Sequence, residues 1–200
     1  MRALEVQIRW VPVRNRDGNI WTFPDAFPDE GRYLGPSVYR WVIRSADQDE
    51  AEFLQIYVGQ SQSLSERVCG VFSLSASNEA DKGTNGRLNA IFREAVSSGN
   101  VVNLETAFFG EFSFNGVVFS PDDLFHPFKR CALENLFLSC SLALGKKLLN
   151  RCVDPDERCE EQLREFTKSP RKVEEMMKIC APSRNSEEVR RRFFETDEEG

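Results

Sequence analysis

The stretch "LQIYVGQSQSLSER", residues 54–67, contains the signals from which the fold of this chain can be inferred. Apolar and polar side chains alternate from Leu54 to Val58, and this period of two predicts a half-buried strand with the phenol of Tyr57 on its polar face. Gly59 is predicted to end the strand, and the small polar residues after it are typical of a turn. The stretch therefore predicts a strand followed at once by a second element.

That second element is predicted to be a helix. Ser63 followed three residues later by Glu66 is a capping-box pattern, and Leu64 and Val68 begin an apolar face at helical spacing. Arg67 therefore lies near the helix start, where free N–H groups and the positive end of the helix dipole gather. A guanidinium at such a place predicts a site for a phosphate or carboxylate, with a tyrosine beside it.

Two other runs have strand character. The first, "VYRWVI", covers residues 38–43, and the second, "NVVNLETAFFGEF", covers 100–112. The polar loop after the first run makes it a plausible antiparallel neighbour of the strand at 54–58. In a suitable register Tyr39 and Tyr57 would project from the same face of that pair, but the loop length leaves the register open.

Other segments of the chain carry short turn and helix-cap signals. Residues 4–23 predict a hairpin that turns near Gly18, followed by a connector rich in proline, glycine and aspartate. Residues 85–98 predict a helix with Gly99 as its C-terminal cap. The run "FSFNGVVF" predicts a small hairpin that turns at Gly116.

A long apolar helix is predicted for "KRCALENLFLSCSLALGKKLLN", residues 129–150. Apolar side chains cover most of its circumference, so we expect it to be largely interior. Glu134 is the only charged residue between Arg130 and Lys146. An unpaired buried carboxylate would cost several kcal/mol, so Glu134 should meet a cation, a metal or water at a cavity.

Composition limits the class of protein. The chain has 200 residues, of which 40% are hydrophobic, with 16 Phe, and this supports a globular protein. The first residues, "MRALEVQIRW", lack the apolar region of a signal peptide, and no run is long enough to span a membrane. We therefore expect a soluble, cytoplasmic protein without a membrane partner.

The cysteine pattern and the net charge bear on whether the chain binds zinc or nucleic acid. The six cysteines form no C-x-x-C pair, and the single histidine, His126, leaves little material for a zinc site. The formal net charge of −6 weighs against a nucleic-acid partner, because such proteins usually carry a basic footprint. A local basic face can still bind nucleic acid in an acidic protein.

Five residues, in this order along the chain, match a known family. They are Tyr39 in "VY", Tyr57 in "YVG", Arg67, Glu134 in "ALENLFL" and Asn150 in "LLN". This succession of two tyrosines, an arginine, a glutamate and an asparagine resembles the GIY-YIG nuclease superfamily. The likeness implies DNA phosphodiester hydrolysis with one divalent metal ion, and DNA is therefore the expected partner.

The resemblance also implies a fold. It predicts an α+β protein with a small three-stranded antiparallel sheet flanked by helices. The likeness is firm over 36–67 and 128–150. We therefore expect a catalytic domain at 36–150, preceded by a hairpin and connector at 1–35 and followed by a helical appendage at 151–200.

The family likeness implies a role for each matched residue. Glu134 would hold the metal, Mg²⁺ or Mn²⁺, with waters completing its shell. Tyr39 would be the general base or would position the attacking water, with Tyr57 on the other side of the phosphate. Arg67 would neutralise charge in the transition state, and Asn150 would orient the site through its amide.

Further residues are candidates for substrate contact or depart from the family pattern. The candidate substrate contacts are Gly59, Ser61, Arg87, Lys146 and Lys147. Four positions differ from the common pattern, namely Ser37, Val58, Gln60 and Val71, and the change at Val58 is mild. Gln60 replaces a lysine that helps to activate the base in some members, and Val71 replaces a histidine or tyrosine used by many members. The identity of the base therefore stays open, and His126 or Tyr33 could substitute for Tyr39.

Two other functions compete with the nuclease. The first is a catalytically weak or inactive interaction module that kept the fold and binds a protein or nucleic-acid partner, with 151–200 as the element that docks a protein. The departures at Gln60 and Val71 and the acidic charge favour it. The second is a hydrolase of nucleotides or small phosphates that uses the same anion site. For a nuclease, a lone site cuts one strand, so cutting both strands would call for a homodimer.

Overall fold

A computed structural model describes most of the chain up to Asn150. The described residues are 8–28, 33, 35–46, 53–72, 84–114 and 117–150. They fall into two compact units, one of Trp10–Ala107 and one that contains the residues from Phe108 onward together with Ile8 and Arg9. The helical appendage expected at 151–200 lies outside the described residues, as does the start of the N-terminal segment.

The first unit is built on one sheet. Its strands are β1 (Arg9–Pro12), β2 (Thr22–Phe23), β3 (Ser37–Ser45), β4 (Phe53–Ser61) and β5 (Asn100–Phe108). Their order is β1-β5-β3-β4, with β2 also paired to β5. The β3–β4, β3–β5 and β2–β5 pairs are antiparallel. The α+β class with an antiparallel sheet is therefore confirmed, and the N-terminal strands enlarge that sheet beyond the three strands expected.

The predicted N-terminal hairpin turn is confirmed. Gly18 has a φ of +82°, a left-handed conformation that favours glycine. The Asn15 amide donates to the Asn19 carbonyl at 2.9 Å, and Arg14 and Ile20 form a β-bridge across the turn. The N-terminal segment joins the main sheet through β1 and β2, which both pair with β5, so the sheet exceeds the three strands predicted.

The register of β3 and β4 places both tyrosines on one face. Tyr39 lies opposite Gly59, and Trp41 lies opposite Tyr57. Residues directly opposite each other, and those two positions along, point to the same side of a sheet. Tyr39 and Tyr57 are therefore diagonal neighbours on one face, in the register that the sequence left open.

Two helices follow strands in this unit. They are α1 (Leu64–Phe72) and α2 (Thr84–Ser97). Phe92 of α2 lies with its ring centroid 4.9 Å from that of Trp41 and 5.8 Å from that of Phe23. Gly99 has a φ of +80° after α2, so the predicted C-terminal cap is confirmed. These aromatic contacts attach α2 to the face of the sheet that carries the tyrosines.

The second unit contains a hairpin and two helices. The elements are β6 (Phe112–Phe114), β7 (Val117–Phe119), a short 3-10 helix (Pro121–Phe125) and α3 (Pro127–Ala143). The pairing of β6 with β7 confirms the small predicted hairpin. Among the described residues, no helix combines the length and the apolar character needed to cross a membrane.

Helix α3 is as interior as its sequence predicts, but it is shorter. Every residue from 130 to 139 is buried. The prediction that the helix extends to residue 150 is wrong, because the helix ends at Ala143. Gly145 has a φ of +67°, and the Lys146 amide donates to the Ser141 carbonyl at 3.0 Å. This left-handed cap satisfies the last carbonyls and terminates the helix seven residues before the predicted end.

The start of the 3-10 helix is fixed by Asp123. Its carboxylate accepts from the Ser120 amide at 2.8 Å and from the Lys129 ammonium at 2.7 Å. Burial raises the pKa of Asp123, but the hydrogen bonds from Lys129 and Ser120 and the Lys129 charge outweigh this and hold the pKa below its usual 3.8. The charged form of Asp123 therefore stabilises the native state.

We expect Asp123→Asn to lower the free energy of unfolding at neutral pH by about 1 kcal/mol. Since the native pKa is depressed, this contribution is present above pH 3.8 and is lost as the pH falls through the native value. Urea denaturation at neutral and strongly acid pH measures the difference. Asp122→Asn, at an exposed neighbouring position, is the control. An equal deficit at both pH values would contradict the assigned role.

Candidate active site

Two buried phenols form the centre of the candidate site. Tyr39 is 2% exposed and Tyr57 is 5% exposed. Their ring centroids lie 6.5 Å apart, with the ring planes inclined by 42°. The alternation of β3 and β4 directs both side chains to the face of the sheet that α2 covers, so both phenols belong to one cluster.

Gly59 leaves the space that the two rings fill. A Cβ at this position would lie 2.8 Å from both Cζ and Oη of Tyr39 and 2.9 Å from Cε1 of Tyr57. The prediction that Gly59 ends its strand is wrong, because β4 continues to Ser61. Glycine is needed at position 59 because the Tyr39 ring lies across the backbone of β4 there. A larger residue at this position would collide with that ring.

The turn before α1 is held by its own side chains. The Ser61 hydroxyl donates to the Ser63 carbonyl at 2.7 Å and accepts from the Ser63 amide at 3.2 Å. The Ser63 hydroxyl accepts from the Glu66 amide at 3.3 Å, which confirms the predicted cap. The Ser65 amide donates to the Tyr33 carbonyl at 3.0 Å. Since these amides already have protein acceptors, anion binding at this helix start depends on side chains rather than on the backbone.

Arg67 connects α1 to both phenols. Its guanidinium donates hydrogen bonds to the hydroxyl oxygens of Tyr39 and Tyr57. Burial lowers the pKa of Arg67, but its attraction to Tyr39 and then to Tyr57 outweighs this and raises the pKa above the ordinary value. Arg67 is therefore cationic at any working pH. The attraction is mutual, so the guanidinium offsets part of the cost that burial imposes on a phenolate at either tyrosine.

The exposed edge of this cluster is Arg67. Its side chain is half-buried, whereas the two phenols are almost fully enclosed. A phosphate that approaches the cluster would therefore meet the guanidinium first. The structure thus brings together Tyr39, Tyr57, Gly59 and Arg67, four of the predicted site residues.

Glu134 and Asn150 lie in the second compact unit. Glu134 is 1% exposed on α3, and Asn150 is 8% exposed after that helix. Burial lowers the pKa of Arg130, and attraction to Cys131 and Glu134 opposes part of that decrease. The Arg130 guanidinium also donates to the Leu124 carbonyl at 2.7 Å. Arg130 is therefore a charge partner for Glu134, as the buried carboxylate requires.

The donor chemistry of Glu134 fits a hard divalent cation. Magnesium in proteins is often held by one or two carboxylates, with water and substrate oxygens filling the other positions. Within the described ranges, no group of three His, Cys, Asp or Glu side chains is placed to hold a metal. Among the described residues, Glu134 is the carboxylate that would hold such an ion.

The other predicted contacts differ in exposure. Arg87 is half-buried on α2 in the sheet unit. Lys146 is half-buried and Lys147 exposed in the segment after α3, in the second unit. The Tyr33 hydroxyl accepts from the Arg14 amide at 3.0 Å, which commits it to the N-terminal hairpin. His126 is exposed and belongs to the second unit. Tyr39 and Tyr57 are therefore the phenols best placed to act beside Arg67.

Comparison with known proteins does not assign a function to this site. Neither a curated protein nor a solved structure matches the chain. Functional inference therefore depends on the chemistry of the residues themselves. No family model matches the chain.

Proposed function

We propose that this chain is a metal-dependent endonuclease that hydrolyses phosphodiester bonds in DNA. The observation that supports the proposal is the convergence of Tyr39, Tyr57 and Arg67, three residues from separate elements. The two phenol rings pack against Gly59. Their order with Glu134 along the chain is that of the nuclease family noted above. An arginine held by two phenols at a helix start is suited to a phosphate diester, whose charge it can match.

Arg67 would bind the scissile phosphate. A guanidinium presents paired N–H groups that match two oxygens of one phosphate. Its hydrogen bonds to Tyr39 and Tyr57 fix its orientation before substrate arrives, so little reorganisation is needed. Charge on the phosphate oxygens increases in the transition state, and the fixed cation would stabilise that state more than the ground state.

A phenolate beside Arg67 would accept the proton of the attacking water. As that O–H bond breaks, the water oxygen bonds to phosphorus, and the P–O bond to the leaving oxygen breaks with its electron pair. Protonation of the leaving oxygen by solvent completes the hydrolysis. An ordinary phenol has a pKa of about 10, so the neighbouring guanidinium is needed to favour the phenolate. Either Tyr39 or Tyr57 can serve, because Arg67 contacts both.

A divalent ion held by Glu134 would supply Lewis-acid charge stabilisation when bound. Asn150 would contribute a neutral amide that orients groups near the carboxylate. The enclosure of Glu134, at 1% exposure, would keep its carboxylate out of contact with bulk water. Low surrounding polarity strengthens its interaction with a cation.

The proposal is tested by cleavage of supercoiled plasmid with the purified full chain. We expect nicking in Mg²⁺, its loss on chelation and its return when Mg²⁺ or Mn²⁺ is restored. Glu134→Gln should raise the Mg²⁺ concentration for half-maximal rate by about tenfold or more. Linear product before nicked product would indicate a homodimer that cuts both strands.

Two outcomes would contradict the proposal or a part of it. If the wild-type chain neither binds nor cleaves plasmid, single-stranded or branched DNA in the presence of Mg²⁺, the endonuclease proposal fails. If cleavage is present but identical in Glu134→Gln at every Mg²⁺ concentration, the metal role of Glu134 fails.

A second candidate is an interaction module without catalysis. The enclosure of Tyr39 and Tyr57, at 2% and 5% exposure, favours it because a structural cluster would also be buried and bonded in this way. This function predicts a stable complex formed through 151–200, and no cleavage under any metal condition. Co-purification of the full chain and of a chain truncated at residue 150 distinguishes the two functions.

A further inference from the structure

A cavity on the opposite face of the sheet contains a charged group that the proposed nuclease does not use. Its volume is about 260 Å³, and its lining includes Trp10, Arg40, Arg44, Asn103 and Glu105. Arg40 lies between Tyr39 and Trp41 in β3, so strand alternation directs it away from the tyrosine cluster. The cavity is therefore separate from the candidate active site.

One carboxylate orients both guanidiniums of this cavity. Arg40 donates through Nε to Oε2 of Glu105 at 2.6 Å, and its Nη2 forms an ion pair with the same oxygen at 2.6 Å. Arg44 donates through Nη2 to the other oxygen, Oε1. Glu105 is 3% exposed and lies directly opposite Arg40 across the β3–β5 ladder. A buried carboxylate with both oxygens engaged fixes the two arginines relative to each other.

An indole ring completes the arrangement. The guanidinium carbon of Arg40 lies 4.5 Å from the ring centroid of Trp10, which is within the range of a cation–π contact. Asn103 adds an amide, and its Nδ2 donates to the Trp21 carbonyl at 3.3 Å. The lining therefore combines preorganised cations with an aromatic face, as in pockets that bind small polar molecules.

The charge of the lining is unequal. It includes two guanidiniums and one carboxylate, that of Glu105. Burial lowers the pKa of Arg40, attraction to Glu105 opposes this decrease, and repulsion from Arg44 adds to it. An additional anion in the cavity would offset that repulsion and complement the second cation.

We propose that this cavity binds the oxyanion group, phosphate or carboxylate, of a small molecule whose apolar part rests against Trp10. The oxyanion would share the Arg40 and Arg44 guanidiniums with Glu105. The volume suits a small phosphorylated or carboxylated ring compound, and no bond is made or broken on binding. The inference concerns a different sheet face from the nuclease proposal and does not depend on it.

Isothermal titration of the full chain with inorganic phosphate, adenosine monophosphate and benzoate tests the proposal. We expect at least one anion to bind, with phosphate or the nucleotide indicating a phosphate ligand and benzoate a carboxylate ligand. Arg44→Gln should weaken that binding by about tenfold or more. Glu105→Gln should strengthen it, because the competing carboxylate is removed while its shape is kept. Arg16→Gln, at an exposed turn position, should leave it unchanged.

Two further variants keep the test decisive. Arg44→Lys retains the ion pair with Glu105, so a folded Arg44→Lys protein with weakened binding supports a role of the guanidinium itself. Arg67→Ala should leave anion binding at this cavity intact, which separates failure of the cavity from failure of the nuclease proposal. No heat of binding with any of the three anions, or binding unaffected in both Arg44 variants, would overturn the inference.

Discussion

Arg67→Ala is expected to lower the rate of DNA cleavage by roughly 10²- to 10³-fold. The reason is that the substitution removes both the cation that meets the phosphate and the charge that favours a phenolate at Tyr39 or Tyr57. Initial rates of plasmid nicking at saturating Mg²⁺ measure the loss. Arg67→Lys should recover only part of the rate, because an ammonium keeps the charge but lacks the paired N–H geometry.

The pH profile gives a second readout of the same substitution. Since the pKa of Arg67 is raised above its already high ordinary value, its charge is constant over the working range. An alkaline change in rate that arises from a tyrosine base should move to higher pH in Arg67→Ala, because the favourable charge is lost. Arg16→Ala, at an exposed position, is the matched control. A normal rate with a lowered melting temperature in Arg67→Ala would show that the cluster is only structural.

Gly59→Ala is expected to destabilise the protein by about 1–3 kcal/mol, the range typical of overpacked interiors. The added methyl would lie 2.8 Å from Cζ and Oη of Tyr39, so a buried ring or the backbone must move. Movement of that ring should also impair cleavage, because it displaces the phenol from Arg67. Thermal or urea denaturation measures the stability, and nicking rates measure the function.

Gly35→Ala is the matched control for this substitution. A Cβ at Gly35 meets no atom within 4 Å, and the residue has no positive φ, so the change should be nearly neutral. Combining Gly59→Ala with Tyr39→Leu, which shortens the obstructing side chain, should recover part of the lost stability. Equal stability of the Gly59 and Gly35 variants would contradict the close approach of ring and backbone.

Local patterns in the sequence predicted most of the elements. The alternation in β4, the Ser63 cap and the turn at Gly18 all have short-range causes, and the structure confirms them. Gly59 was misinterpreted because a glycine in a strand can mark either an end or a close contact, and only the partner strand decides. The same holds for the end of α3, where Gly145 rather than the final asparagine sets the limit.

The site was predictable only in part for a similar reason. The identities of Tyr39, Tyr57 and Arg67 follow from their order in the chain, but their contact depends on a register that loop length does not determine. The pairing of Arg40 with Glu105 joins residues 65 positions apart and left no local signal. Long-range pairs of this kind depend on strand order, which short sequence windows do not encode.

The sheet order β1-β5-β3-β4 puts β4, with Tyr57 and Gly59, at the margin of the described sheet. A marginal strand has a ladder partner on one side, here β3, so it can detach at lower cost than a strand held on both sides. Transient separation of β4 from β3 would expose the two phenols to solvent while β3 and β5 stay paired. The cluster thus lies at an edge of the described sheet, where local opening costs less than at a strand paired on both sides. Such opening would give substrate a route to side chains that are enclosed in the native state.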